Sequence, residues 1–409
     1  VGGRSAVVWA ALAGLGCAAC LSSPDSGGGD GEPGGDSGPG GGDAGPSERC
    51  GTTRALHEDF EVAEIDLARW TYEQAAIDGG AAELWATPDT YGIVISRGSY
   101  RVAGGDLKVE LNLADLSPDS SFELWLDGDG SDLGIRLEGT LMELTIVDEN
   151  GPRVPKSASY DADRPWWRLW EEDGKVHFGT ATDGEDWNDL GGVEWGESLA
   201  QVSFALSGQS GASTVDVRTV NPDSDERCCA AASFTEEFDD LDRWWQIAEG
   251  DCSMMAGGKL SLSYPVPAAC TVNARERFDL RGSSVSVELL EAGDCQPSAA
   301  LSLAAGDFFL DFLCTNDGSG ARLSAFTPSE DGATIEYVAE AQRFIRLRHD
   351  PAQGAVLWET RPEGGDEWEQ FEAIAVDDDL VKDVEVRLFI DGEVSADAIQ
   401  GAVFDNLNL

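Results

Sequence analysis

The feature that most limits how this chain can fold is an internal repeat. Residues 60–70, FEVAEIDLARW, align without a gap on 234–244, FTEEFDDLDRW, matching Phe60 with Phe234, Leu67 with Leu241, Arg69 with Arg243 and Trp70 with Trp244. Residues 100–111, YRVAGGDLKVEL, align on 278–289, FDLRGSSVSVEL. Residues 167–187, WRLWEEDGKVHFGTATDGEDW, align on 345–368, IRLRHDPAQGAVLWETRPEGGDEW, with small insertions in the turns. The matches keep their order at nearly constant separation, as two copies of one domain would. The copies are expected over 52–222 and 230–409, joined by a linker at 223–229.

Each copy reads as β. LKVEL, FELWL, GIRLEG, MELTIV and VSFAL recur in the first, and SVSVEL, FFLDFL, IRLRH, AVLWET and VEVRLFI in the second. The segments are short, alternate with period two and are separated by Gly, Asp and Pro turns, and no long amphipathic helix pattern intervenes. About ten such strands per copy predict an all-β chain of two tandem antiparallel β-sandwich (jelly-roll) domains.

Ahead of them, residues 1–20 carry one positive charge, Arg4, and an apolar run from Ala6 to Gly16. That run is too short to span a bilayer as a helix but suits a signal-peptide core. The initial Val suggests a trimmed start or a non-AUG start codon. The small residues leading into a cysteine resemble a bacterial lipoprotein signal, with Cys20 or Cys17 as the lipidated residue. Residues 21–51 are nearly all Gly, Asp, Ser and Pro, so they cannot bury apolar area and predict a disordered tether. An outer-membrane or cell-surface lipoprotein, or a secreted protein, is therefore expected, touching the membrane only through its lipid anchor. The excess of 77 acidic over 27 basic residues, a net charge of −50, opposes nucleic-acid binding, which needs cationic side chains to displace counterions. A glycan or a cell-surface protein remains as partner.

Export would oxidise the cysteines. Cys252–Cys270 and Cys295–Cys314 flank hairpins and are expected to link neighbouring strands. Cys50 and one of the adjacent Cys228 and Cys229 would staple the first domain, and we take Cys228 as the partner.

The opening segment Phe60–Trp70, the hairpin Arg168–Trp187 and the closing Phe404–Asp405–Asn406 together resemble the concanavalin A-like lectin/glucanase (laminin G-like) jelly roll. The second copy repeats the pattern in Phe234–Trp244 and Arg346–Trp368, and the first departs from it only at its end, where TVDVRTV replaces FDN. The resemblance implies glycan or protein binding, or in some members glycoside cleavage.

Glycosidases of this fold carry E-x-D-x-x-E or E-x-D-x-E on one strand, where alternation aims the carboxylates at one groove. Neither pattern is present, and the nearest approach is Glu237, Asp239 and Asp242 in a domain-opening segment. His57, His177 and His349 are isolated, and no G-x-S-x-G elbow occurs. The expectation is a non-catalytic binding or adhesion protein, with a hydrolase lacking the usual motif or a structural envelope protein as alternatives. Asp127, Asp129, Ser131 and Glu138 stand at positions 1, 3, 5 and 12 of a calcium-type loop, although Asp132 occupies the place of its turn glycine. These four are the candidate Ca2+ ligands.

In the tryptophan-rich hairpin, Trp167, Leu169, Val176 and Phe178 are apolar in both copies and should face the core. By alternation Trp166, Arg168, Trp170 and His177 face outward, a strip able to stack a sugar ring and hydrogen-bond its hydroxyls. They are the candidate carbohydrate-binding residues. The acids Glu171, Glu172, Asp173, Asp183, Glu185 and Asp186 are placed in turns, and Trp187, repeated as Trp368, in packing.

Overall fold

The computed structural model describes residues 51–409 except 62–63, 66–68, 209–211, 239–242, 248–251, 264–269, 292–294, 296–297, 317, 392–400 and 409. The signal segment, most of the tether, Cys17, Cys20 and Cys50 lie outside the described residues. Residues 50–409 form one compact unit.

The β alternation of the sequence becomes four sheets. In the first half an eight-stranded sheet runs Trp70–Glu73, Tyr91–Ser96, Leu199–Ser207, Ser121–Asp127, Ser131–Glu138, Leu141–Asp148, Gly151–Ser159, with Tyr100–Arg101 added beside Leu199–Ser207. Its seven-stranded partner runs Asn188–Glu194, Lys175–Ala181, Trp166–Glu172, Asp106–Asn112, Ser213–Val220, Ala81–Ala86, Ala75–Asp78. The second half repeats the seven-stranded order in full and the eight-stranded order except at its first edge, where Cys229–Ala230 runs parallel to its neighbour and Trp244–Ile247, the counterpart of Trp70–Glu73, pairs beside it. Its eight-stranded sheet runs Cys229–Ala230, Cys270–Asp279, Val384–Asp391, Ser298–Ala305, Phe308–Asn316, Ala321–Thr327, Glu330–Glu336, with Trp244–Ile247 beside Cys270–Asp279. Its seven-stranded sheet runs Glu369–Ala375, Ala355–Arg361, Phe344–Asp350, Ser284–Glu291, Gly401–Asp405, Leu260–Ser263, Ser253–Met255. Each half has its own core, built from the inward residues of its two sheets.

Paired asparagines lock the ends of each sandwich. After the closing strand Ser213–Val220, Asn221 turns with φ 47°, accepts the Lys108 N–H on Oδ1 at 2.7 Å, and donates from Nδ2 to the Thr53 and Leu56 carbonyls. Asn408, with φ 55°, accepts the Ser286 N–H at 2.7 Å and donates to the Ala231 and Phe234 carbonyls. Thus TVDVRTV occupies the place of the closing strand of the second half, despite lacking FDN.

One alignment is corrected. Arg69 and Arg243 do correspond, since their carbonyls accept from Arg97 and Arg275 respectively. But Phe60 matches Phe238, not Phe234: both have φ 52°, and each N–H donates to the glutamate two residues before it, Glu58 or Glu236. The connection to Arg243 is four residues shorter than that to Arg69, a difference the gapless match absorbed at its start.

Among the described residues the disulfides are Cys252–Cys270 and Cys295–Cys314, with Cα separations of 5.9 and 5.4 Å. Cys295–Cys314 links the approach to Ser298–Ala305 with the neighbouring strand. Cys252–Cys270 does not link neighbours: Cys252 precedes a strand of one sheet and Cys270 opens a strand of the other, so the bond ties the sandwich layers together. Cys228, taken as half of a staple, is a free buried thiol, and Cys229 is the bonded one. Adjacent residues of an extended chain point opposite ways, and it is the Cys229 sulfur that lies against Gly51.

The halves meet through equivalent segments, 97–101 and 275–279. The Ser99 N–H donates to the Arg275 carbonyl at 2.8 Å. Glu276 accepts from Arg101 of the first half (3.3 Å) and Arg243 of the second (3.1 Å). Asp383 lies 2.8 Å from Arg277 Nε and 3.3 Å from Arg69 Nε. Arg277 is only 4% exposed, so its charge depends on the Asp383 carboxylate. Arg275 reaches across to Asp129 at the tip of the 127–131 hairpin.

Candidate functional site

Trp167, Leu169, Val176 and Phe178 are buried, so Trp166, Arg168, Trp170 and His177 do share the outer face of the seven-stranded sheet. The strip is assembled as a stacked ladder. Arg168 forms a two-pronged bond to Asp106, Nε to Oδ1 at 2.7 Å and Nη2 to Oδ2 at 2.8 Å. The same guanidinium lies 4.6 Å from the Trp170 ring centre and 5.4 Å from that of Trp187. His177, the cross-strand partner of Trp170, stacks on its ring at 5.2 Å and contacts Asp189 through Nδ1 at 3.2 Å. Trp170 fits because Gly179 stands beneath it, where a Cβ would come within 3.2 Å of the ring. The turn at Gly184 closes over Trp166. Part of the stacking surface of Trp166 and of Trp170 is thus engaged by protein groups.

The second half repeats the arginine–tryptophan contact, with Arg346 4.0 Å from the Trp368 ring centre. Its carboxylate comes from the opposite neighbour: Glu359, at the position of Gly179, binds both Arg346 and Arg348. The shared arginine is a fastening of the fold, since both halves keep it and each supplies an acid by a different route. Glu171 and Glu172, placed in a turn by the sequence, close the strand, and the turn itself is Asp173–Gly174, both at positive φ.

The proposed calcium ligands are not brought together. Ser131 and Glu138 are the two ends of one eight-residue strand, roughly 23 Å apart. Asp129 pairs with Arg275, and Glu138 with Arg136 at 2.8 Å. Among the described residues no group of three His, Cys, Asp or Glu side chains could hold a metal ion. The loop spacing was misleading because the flanks are strands, which separate residues that a compact loop would gather.

A different acidic constellation lies on the outer face of the eight-stranded sheet. Alternation in SFELWLD turns Phe122, Leu124 and Leu126 inward and Glu123, Trp125 and Asp127 outward. Asp127 is directly opposite Asp132 on the next strand. Burial pushes the Asp127 carboxyl up to about 7, the charges of Asp132 and Glu123 adding to the effect and a 2.7 Å bond from the Ser203 hydroxyl opposing it. Burial likewise raises Asp132 to about 6, against a backbone bond from Gly128. Glu123 is raised by burial too, and is held by the Trp125 indole N–H at 2.9 Å and by Arg136 at 3.3 Å. Glu197 braces the hairpin, accepting from the Gly130 N–H (3.2 Å) and the Ser131 hydroxyl (3.1 Å). The pair was invisible to a linear motif because it is formed across a hairpin.

Among the solved structures that match part of the chain are several that bear the names of glycan-acting enzymes. A β-glucanase of Bacillus licheniformis matches at 10% identity and TM-score 0.33 over 40% of this chain and 95% of its own. A β-1,3-glucanase of Mycobacterium marinum matches at 16% identity and TM-score 0.33, over 40% and 96%. A κ-carrageenase of Pseudoalteromonas carrageenovora, in complex with an oligotetrasaccharide of κ-carrageenan, matches at 12% identity and TM-score 0.31, over 40% and 91%. No family model matches the chain, and no curated protein does. Against the expectation of a chain without enzymatic activity, which rested on a missing linear motif, these matched structures bear the names of glucanases and a carrageenase.

Proposed function

We propose that this protein acts on glycans, with Asp127 and Asp132 as an acid pair for glycoside cleavage. The observation that carries the reading is the direct opposition of Asp127 and Asp132, with Asp127 held up to about 7. Opposed residues of an antiparallel pair have Cβ atoms about 4.5–5.5 Å apart. That places two carboxyls near the spacing of roughly 5 Å at which one carboxyl attacks the anomeric carbon while the other protonates the leaving oxygen. Asp127, the more basic of the two, keeps its proton near neutral pH and is the donor. Asp132, ionised first, is the nucleophile. The assay is release of reducing ends from a panel of polysaccharides by the full chain, by D127N and by D132N. Cleavage by the wild type alone supports the assignment, and equal cleavage by the variants refutes it.

The two halves are, on the same proposal, copies of one domain, supported by the shared order of their seven-stranded sheets and by the matching roles of Asn221 and Asn408. Export, with attachment to the cell surface through a lipidated Cys20 or Cys17, is also part of the proposal. The two disulfides support it, since such bonds persist in oxidising compartments.

A further inference from the structure

At the end of the first sandwich remote from Asp127 and Asp132, the two sheets part along their outer edges. Strand Gly151–Ser159 ends one sheet and Asn188–Glu194 the other, and between them lies a cavity of about 210 Å3. This is smaller than the roughly 300–1,000 Å3 of sites for drug-sized ligands. It is nevertheless room for several waters at about 30 Å3 each. One six-membered ring with its substituents is the fitting size.

The lining has two characters. Met142 and Leu190 with the ring of Tyr160 make an apolar wall, and Tyr160 is itself braced edge-on against Trp167 at 6.3 Å. Also lining the cavity are the Tyr160 hydroxyl and the Asn188 side-chain amide, which make no hydrogen bond within the protein among the described residues. The charges present cancel, since Arg164 lies 3.4 Å from Asp161 and also donates to the Thr180 carbonyl at 3.5 Å. Burial raises the Tyr160 hydroxyl to about 12, so it stays a neutral donor and acceptor at physiological pH.

The second half supplies an internal control. Tyr160 and Tyr337 are equivalent, each N–H donating to a carbonyl at the start of the corresponding strand, Thr140 just before Leu141–Asp148 or Ala321 opening Ala321–Thr327. Leu190 and Phe371 are equivalent too, each lying at the register shift after the partner of Thr180 or Thr360. Phe371 packs its ring edge-on against Phe312 at 5.4 Å, inside the second sandwich. Leucine at that position leaves the space open in the first half.

We propose that this cavity is a binding site for a single neutral pyranose, such as the terminal or branching residue of a glycan. Its apolar wall would meet the C–H face of the ring, and Tyr160, Asn188 and Ser159 would take its hydroxyls. The site is separate from the acid pair and does not depend on it.

Saturation-transfer NMR and calorimetry on the full chain test the idea, using glucose, galactose, mannose, xylose and N-acetylglucosamine, with glucuronate and glucosamine as charged controls. At least one neutral sugar is expected to bind, with L190F weakening it at least tenfold and Y160F several-fold. N188L, which removes the amide from an exposed edge strand, gives a second readout should L190F fail to fold. D127N should leave the binding unchanged, so loss of turnover and loss of this site are distinguishable. No binding by any neutral sugar, preference for a charged one, or undiminished binding in a folded L190F or N188L would overturn the proposal.

Discussion

Replacing Asp127 by Asn is expected to stabilise the protein at neutral and alkaline pH and to change nothing in acid. A carboxyl moved from 3.8 to about 7 on folding carries about 4 kcal/mol, at about 1.4 kcal/mol per pH unit. The residue is partly exposed, and solvent reaching it lowers that figure to about 2–3 kcal/mol. The sign follows from proton counts. Between pH 4 and pH 7 the folded state keeps a proton that the unfolded chain has released, so the wild type loses stability as pH rises through this window and is level above it. Asparagine cannot ionise, keeps an oxygen for the Ser203 hydroxyl, and removes this share of the slope. Urea unfolding of both proteins at pH 4, 6 and 8 measures it, with the difference expected to grow from near zero at pH 4 to about 2–3 kcal/mol at pH 8. A variant no more stable than the wild type at pH 8, or a difference that does not shrink in acid, would refute the assignment of Asp127 as a buried proton carrier.

Asp383→Ala removes the carboxylate shared by Arg277 and Arg69 from beside a buried guanidinium, so a loss of about 3–5 kcal/mol is expected in chemical unfolding. Asn221→Ala and Asn408→Ala each abolish three hydrogen bonds at a positive φ, and each should cost about 2–3 kcal/mol, seen as a lowered unfolding midpoint. Reduction of Cys252–Cys270 and Cys295–Cys314 should lower stability by roughly 2–4 kcal/mol per bond, measured as the shift in urea midpoint with reductant.

Much of the architecture is legible in the residues. Period-two alternation in SFELWLD, MELTIV and VSFAL is dictated by a sheet with one buried face, and the repeat fixes which positions must be core in both halves. The inward set Trp167, Leu169, Val176 and Phe178 follows from that constraint alone. What stayed hidden depends on chain proximity across strands. Asp127 and Asp132 share a hairpin, yet nothing in their spacing announces that burial would raise both carboxyls. The calcium-type spacing failed for the complementary reason, because a strand carries Glu138 far from Ser131. The Phe60–Phe234 match misled because aromatic residues recur four positions apart in the second copy, so composition could not choose the register that φ and Glu236 reveal.

The most direct measurement is the pH dependence of reducing-end release from a polysaccharide panel by the wild-type chain beside D127N and D132N. A bell-shaped profile bounded near pH 6 and pH 7, the values of Asp132 and Asp127, is expected, with activity lost in both variants while each remains folded. Turnover that persists in folded D127N or D132N, or no cleavage by the wild type of any glycan on the panel, would contradict it.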